Sequence, residues 1–152
     1  MTLTTIEPFT IIGLSIRTSN QDGQAAQDIP ALWARFFSEN IMAAIPDKID
    51  DTLYCIYTDY EGDYTKPYTT LLGCKVASLT HLPEGLSGKV FEGGTYTTFT
   101  AKGKLADGIV FNEWTAIWNS DIARAYTADI EIYGEKAKDA DNAEIDILIA
   151  VL

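Results

Sequence analysis

Six stretches of this chain alternate apolar and polar residues with the period of a β-strand, while only two carry the period of an amphipathic helix. Their order constrains the fold most. "FTIIGLSIRT" (9–18) is a strand, and a helix is expected from about Ile29, with Asp28 to cap it, Pro30 in its first turn and Pro46 to end it. Along that helix Ile29, Leu32, Trp33, Phe36, Phe37, Ile41 and Ile45 form one wide apolar face. "TLYCIYTDY" and "YTTLLGCKVAS" follow as two strands around the turn-forming "EGDYTKP".

After "LPEGLSGK", which reads as a linker, the pattern restarts. "GTYTTFTAKG" is a strand, and "DGIVFNEWTAIWNS" a helix with Val110, Trp114, Ile117 and Trp118 toward one side. "TADIEIYGE" and "AEIDILIAVL" form two more strands about "KAKDADN". The element order is thus strand–helix–strand–strand twice, over about 4–79 and 90–152, although sequence identity between the halves is slight. The expected fold is one α+β domain over 1–152, with pseudo-two-fold symmetry and both helices on one side of a curved, mainly antiparallel sheet.

Composition narrows the function. A 47% apolar content with 11% aromatics belongs to a folded protein with a real core. There is no apolar run of membrane-spanning length, and the N-terminal segment lacks signal-peptide character, so the chain reads as cytoplasmic. A net charge of −11 without any basic cluster argues against direct nucleic-acid binding and favours cationic ligands. Cys55 and Cys74 flank one hairpin and read as small buried hydrophobes that could lie near each other. The single histidine, His81, sits in the linker-like segment, where a solvated imidazole is expected. No metal-ligand spacing, phosphate loop or dinucleotide fingerprint occurs, and neither a metal nor a cofactor is expected. No nucleophile–base arrangement can be assembled either.

Aromatic residues and one carboxylate remain. Eight tyrosines lie on or beside strands, and Trp33, Phe36, Phe37, Trp114 and Trp118 on the helices would cover the sheet; together they suit either an aromatic core or a small-molecule pocket with polar tips. In "YTADIEIYGE", alternation puts Asp129, Glu131 and Tyr133 on one face, opposite Ile130 and Ile132. If the following hairpin folds about Lys138, Glu131 lies beside Asp146 on a polar face, which reads as the solvated side of the sheet. Leu148 and Ala150 fall on that same face and conflict with this reading. A carboxylate bordered by aromatics and Leu148 would be partly desolvated, raised in pKa, and would prefer a cationic partner.

"TLYCIYTDYEGDYTKPYTTLLGCKV" resembles the Tyr–x–x–Tyr hairpin, acidic turn and Tyr-to-Gly strand of a known family. "LPEGLSGKVFEGGTYTTFTAKG" resembles its Pro–x–Gly linker and Gly–x–Tyr strand, and "WTAIWNSDIARAYTADIEIYGE" its second helix and Asp–Phe–Glu–x–Tyr strand. The family is the GyrI-like small-molecule-binding domain, also called the AraC-type effector-binding domain, and the resemblance spans essentially the whole chain. It implies two strand–helix–strand–strand units related by a pseudo-two-fold, with a ligand pocket between the helices. In drug-sensing members a pocket glutamate pairs with lipophilic cations. Glu131 matches that glutamate, with Asp129 and Tyr133 at the flanking positions and Ile130 in place of Phe. Many members carry an N-terminal helix-turn-helix domain; this chain starts at the first sheet strand and resembles the stand-alone members.

The resemblance implies a module that binds amphipathic cationic or aromatic small molecules, in keeping with multidrug-binding members. Glu131 would supply the charge, and Trp33, Phe37, Tyr96, Trp114, Trp118 and Tyr133 are the candidate walls. The alternative is hydrolysis of strained electrophiles, with Glu131 as base and Tyr133 or Tyr96 orienting the substrate; binding is preferred to catalysis. A third reading, in which the acidic surface mimics DNA and engages gyrase, rests on net charge alone.

Overall fold

A computed structural model describes residues 2–152. Strands β1 (Leu3–Ile6), β2 (Phe9–Thr18), β3 (Leu53–Thr58), β4 (Tyr68–Val76), β5 (Ser87–Phe91), β6 (Gly94–Gly103), β7 (Ala128–Tyr133) and β8 (Ala143–Ala150) form one sheet. Helices α1 (Gln24–Ser38), α2 (Ile41–Ala44) and α3 (Ile109–Trp118) complete the fold. Every strand pair is antiparallel, and the order is β1-β6-β8-β7-β3-β4-β2-β5. Advancing each label by four reproduces this order read backwards. The two halves are therefore related by a pseudo-two-fold at the β3–β7 junction, as the repeated element order predicts.

The β2 and β6 bounds match those read from alternation. Two strands do not appear in that reading. β1 and β5 are short edge strands, largely or partly exposed, without a clean two-residue alternation. Each leaves its own half: β1 pairs with β6, and β5 with β2, so the edge strands tie the repeats together.

The first helix starts five residues before Ile29 and closes at Ser38 rather than at Pro46. Gly23, at φ +72°, turns the chain into α1, and Asn40, at φ +52°, separates α1 from α2. Pro30 therefore lies inside the helix. Asp28 does not cap it; its carboxylate accepts hydrogen bonds from Thr18 Oγ1 at 2.9 Å and Gln24 Nε2 at 3.1 Å, fastening the helix to β2.

Both helices cover one face of the sheet. Leu32 and Phe36 of α1 and Ile117 of α3 pack there against Leu14, Leu72, Cys55 and Ile147. On the other face Ile11, Ile56, Tyr96, Ile130 and Leu148 belong to a second cluster that draws on all eight strands and no helix. The sheet's own curl encloses this cluster. Where β2 faces β4, Gly13 lies opposite Gly73, and a Cβ on either would stand 1.9 or 2.1 Å from the other strand's carbonyl oxygen. Only glycine permits that approach.

The β7–β8 register corrects the sequence reading. Glu131 faces Ile147 on β8 and Cys55 on β3, while Asp146 faces Ile132. The pairing is one residue away from the expected one, and such a slip exchanges the faces. Glu131 therefore points to the helical side with Ile145, Ile147 and Ile149, and Asp146 and Leu148 point away from it. Cys55 and Cys74 are buried free thiols; Cys74 meets the Met42 sulfur at 3.3 Å. His81 is exposed beside Asp47, with Nδ1 at 3.1 Å from Oδ2. Among the described residues no helix is long and apolar enough to cross a membrane.

Candidate functional site

Between the two long helices and the sheet lies a cavity of about 670 Å³. Helix α1 contributes Ala26, Ile29 and Trp33, and α3 contributes Val110, Trp114 and Trp118. Helical spacing explains both sets: residues three and four apart share one side, and each helix turns that stripe across the gap. The sheet supplies Tyr57, Tyr68, Glu131 and Tyr133, and Tyr60 and Tyr64 come from the segment leading into the β3–β4 turn. Edge-to-face contacts join Trp33 to Tyr133, with ring centres 4.8 Å apart, and Tyr57 to Trp114 at 5.5 Å. Tyr64 stacks on Trp118 at 5.7 Å.

Glu131 lies in this wall with 2% of its surface exposed. Oε2 accepts hydrogen bonds from the Tyr57 hydroxyl at 2.8 Å and the Trp114 indole N–H at 2.7 Å; Oε1 accepts one from the Tyr133 hydroxyl at 2.6 Å. Burial pushes the Glu131 pKa above its ordinary value, and the three donors pull it back only in part. The pKa values of Tyr57 and Tyr133 also rise, first through burial and then through neighbouring acidic groups including Glu131, so both keep the protons they donate. Among the described residues no basic side chain forms an ion pair with Glu131.

Two residues along the same strand, Asp129 is fully buried and differently served. Its Oδ2 lies 2.7 Å from Arg124 Nη2 and accepts a hydrogen bond from Tyr60 at 2.6 Å, and Oδ1 accepts the Ala150 backbone N–H at 3.0 Å. Arg124 comes from the stretch between α3 and β7, which lies against the end of β8 through Ala125 N–H to Ala150 O at 2.8 Å and Leu152 N–H to Ala123 O at 2.9 Å. Its guanidinium carbon is 4.4 Å from the Tyr126 ring centre and 5.8 Å from that of Trp114.

Of the residues singled out from sequence, Glu131, Tyr133, Trp33, Trp114 and Trp118 line the cavity. Tyr96 does not. It is 1% exposed in the cluster on the opposite face, because alternation along β6 turns it away from the helices. Phe37 packs on Trp33 and Phe36 but is 61% exposed and lies outside the lining, one turn beyond Trp33 along the helix. Arg124 was not anticipated. It is in a loop, where no periodicity assigns a face, and only the lone basic residue in "SDIARAYTADIE" marks it.

The sequence pattern of the family described as Cass2, integron-associated effector binding protein, matches residues 2–151. The integron cassette protein VCH_CASS2, from the mobile metagenome of Vibrio cholerae, is 30% identical with a TM-score of 0.75; the match covers 99% of this chain and 95% of that one. YobU of Bacillus subtilis (strain 168), described as a candidate transcriptional regulator, is 28% identical over 143 residues, which is 91% of this chain and 89% of YobU. SAV2435, solved bound to tetraphenylphosphonium, shares the fold with a TM-score of 0.80 at 15% identity, over 99% of this chain and 93% of that one. Fold and sequence pattern agree, and the chain belongs to the Cass2 family of integron-associated effector binding proteins, a group of GyrI-like small-molecule-binding domains.

Proposed function

We propose that the cavity between α1 and α3 captures amphipathic aromatic cations, and that Glu131 neutralises their charge. One observation carries this reading: a carboxylate 2% exposed, held by three neutral donors and unmatched by any cation among the described residues. Burying an ionised carboxylate costs several kcal/mol in practice, and neutral hydrogen bonds return only part of it. A cation entering the cavity supplies the missing charge, and the rings of Trp33, Tyr57, Trp114 and Trp118 add apolar area and roughly 0.5–2 kcal/mol per cation–π contact. The structural relative that binds tetraphenylphosphonium agrees in kind.

The same three donors favour binding over catalysis. A general base needs a lone pair aimed at the proton it removes, whereas three of the roughly four acceptor sites of Glu131 are already taken by groups that favour its anionic form. The test is titration of tetraphenylphosphonium against wild type and Glu131→Gln by intrinsic tryptophan fluorescence. The variant should bind at least about tenfold more weakly, a difference of about 1.4 kcal/mol. Equal affinities would remove Glu131 from recognition.

A further inference from the structure

The cavity wall carries a second charged group whose hydrogen bonds are incomplete. The Arg124 side chain is only 5% exposed, yet among the described residues its Nε and Nη1 have no hydrogen-bond partner; Nη2 alone reaches Asp129, at 2.7 Å. Nε and Nη1 carry three of the five guanidinium N–H bonds. Buried donors of this kind are rarely left unmade, because each costs its desolvation. Asp129 does not serve them: only Nη2 is within hydrogen-bond reach of its carboxylate. The Glu131 carboxylate is not among Arg124's partners either.

The guanidinium is also held in place. The ion pair with Asp129 fixes Nη2, the Arg124–Val151 bridge fixes the backbone, and the Tyr126 ring lies 4.4 Å from the guanidinium carbon. Tyr126 adopts φ +56°, a region an aromatic residue rarely occupies, and in that conformation it packs against both Tyr60 and Arg124. Trp114 connects the two charged groups: its indole N–H donates to Glu131, and its ring centre lies 5.8 Å from the Arg124 guanidinium carbon. The carboxylate and the guanidinium therefore both neighbour one indole in a single cavity.

We infer that the site takes ligands with two poles, a cationic centre for Glu131 and an acceptor oxygen, best a carboxylate, for the free N–H groups of Arg124, joined by an aromatic spacer. The inference rests on Glu131 as the cation's partner and goes beyond it, because a purely lipophilic cation leaves the Arg124 donors unmade. It makes zwitterionic aromatic compounds preferred over cations of the same shape. The Glu131 pole sets whether a cation binds; the Arg124 pole sets which cation binds better.

A rhodamine free acid and its ethyl ester share one cationic xanthylium and differ in the carboxylate, so the ratio of their affinities isolates the Arg124 pole. Because both dyes are titrated into the same preparation, the ratio does not depend on the fraction folded. Wild type should hold the free acid about tenfold more tightly than the ester, the value of one hydrogen bond to a charged group. Arg124→Gln should bring the ratio to one or below, since Glu131 and Asp129 then repel the carboxylate. Arg124→Lys, which keeps a cation for Asp129 and protects the fold, should lower the ratio severalfold because it lacks the guanidinium donors. A ratio near one in wild type, or a wild-type ratio in either variant, overturns the inference and means that those donors take no ligand oxygen. Glu131→Gln serves as the control: it should weaken both dyes by the same factor. If it weakens neither while the Arg124 variants still change the ratio, the cation reading falls and the Arg124 pole stands. If neither dye binds wild type, both fall.

Discussion

Asp129 and Glu131 are two residues apart on one strand, point to the same face and are almost equally inaccessible. Their surroundings differ. Asp129 has the Arg124 guanidinium, the Tyr60 hydroxyl and a backbone N–H from Ala150, so its charge is matched within the fold. Glu131 has three neutral donors and no cation among the described residues. The first is closed on itself and stitches the end of β8 to the stretch that carries Arg124. The second is open to the cavity, and its compensation is left to whatever enters. Burial alone does not separate a structural carboxylate from a binding one; the charge of its partners does.

That contrast predicts opposite stability effects. Asp129→Ala strands Arg124 in a buried site and frees the Ala150 N–H, and should cost about 3–5 kcal/mol. Glu131→Gln removes a desolvated charge and keeps the size and an acceptor for the donors, and should shift stability by no more than about 1 kcal/mol. Urea denaturation of the two variants beside wild type reads both numbers. Equal losses would mean that Glu131 is as structural as Asp129.

The sequence made the repeated element order, the strand faces of β2 and β6, and the carboxylate between two isoleucines legible. These depend on local periodicity. What it did not show was set by pairing. Register between β7 and β8 depends on how many residues the intervening turn absorbs, and a one-residue difference moved Glu131 from a presumed wet face to the helical one. Tyr96 looked like any other strand tyrosine, because alternation says which residues share a face but not which face meets the helices. β1 and β5 were missed because edge strands are too short to show a pattern, and α1 began early because Gly23 and Asn40, not the prolines, set its limits. Arg124 was beyond reach of periodicity, being positioned by backbone contacts between the ends of two distant segments.

Protonation offers a milder way to separate the two carboxylates. In the empty protein the folded-state pKa of Glu131 lies above its unfolded value, so between those values the native state binds more protons. Stability should therefore rise as pH falls through that window, and this contribution should vanish in Glu131→Gln. Affinity for tetraphenylphosphonium, whose charge does not titrate, should move the opposite way and fall over the same window as Glu131 is neutralised. An affinity flat across that window would show that the carboxylate is not the cation's partner.

The smallest expected effect discriminates most finely. Among the described residues Tyr133 is the one hydrogen-bond donor to Glu131 Oε1, at 2.6 Å, and Tyr60 is one of two side-chain donors to Asp129 Oδ2, the other being Arg124. Replacing either with Phe removes one hydroxyl and changes volume little. In Tyr133→Phe the anionic form of Glu131 loses a donor, so its pKa should rise further, by up to about one unit for about 1.4 kcal/mol of lost interaction. The pH at which tetraphenylphosphonium binding is half lost should rise with it. In Tyr60→Phe Glu131 keeps all three of its donors, and that midpoint should stay where it is, whatever happens to overall affinity as the cavity wall changes. A midpoint that moves equally in both variants would mean that the two carboxylates respond as one charged network, and the separation of a structural acid from a ligand-facing one would not hold.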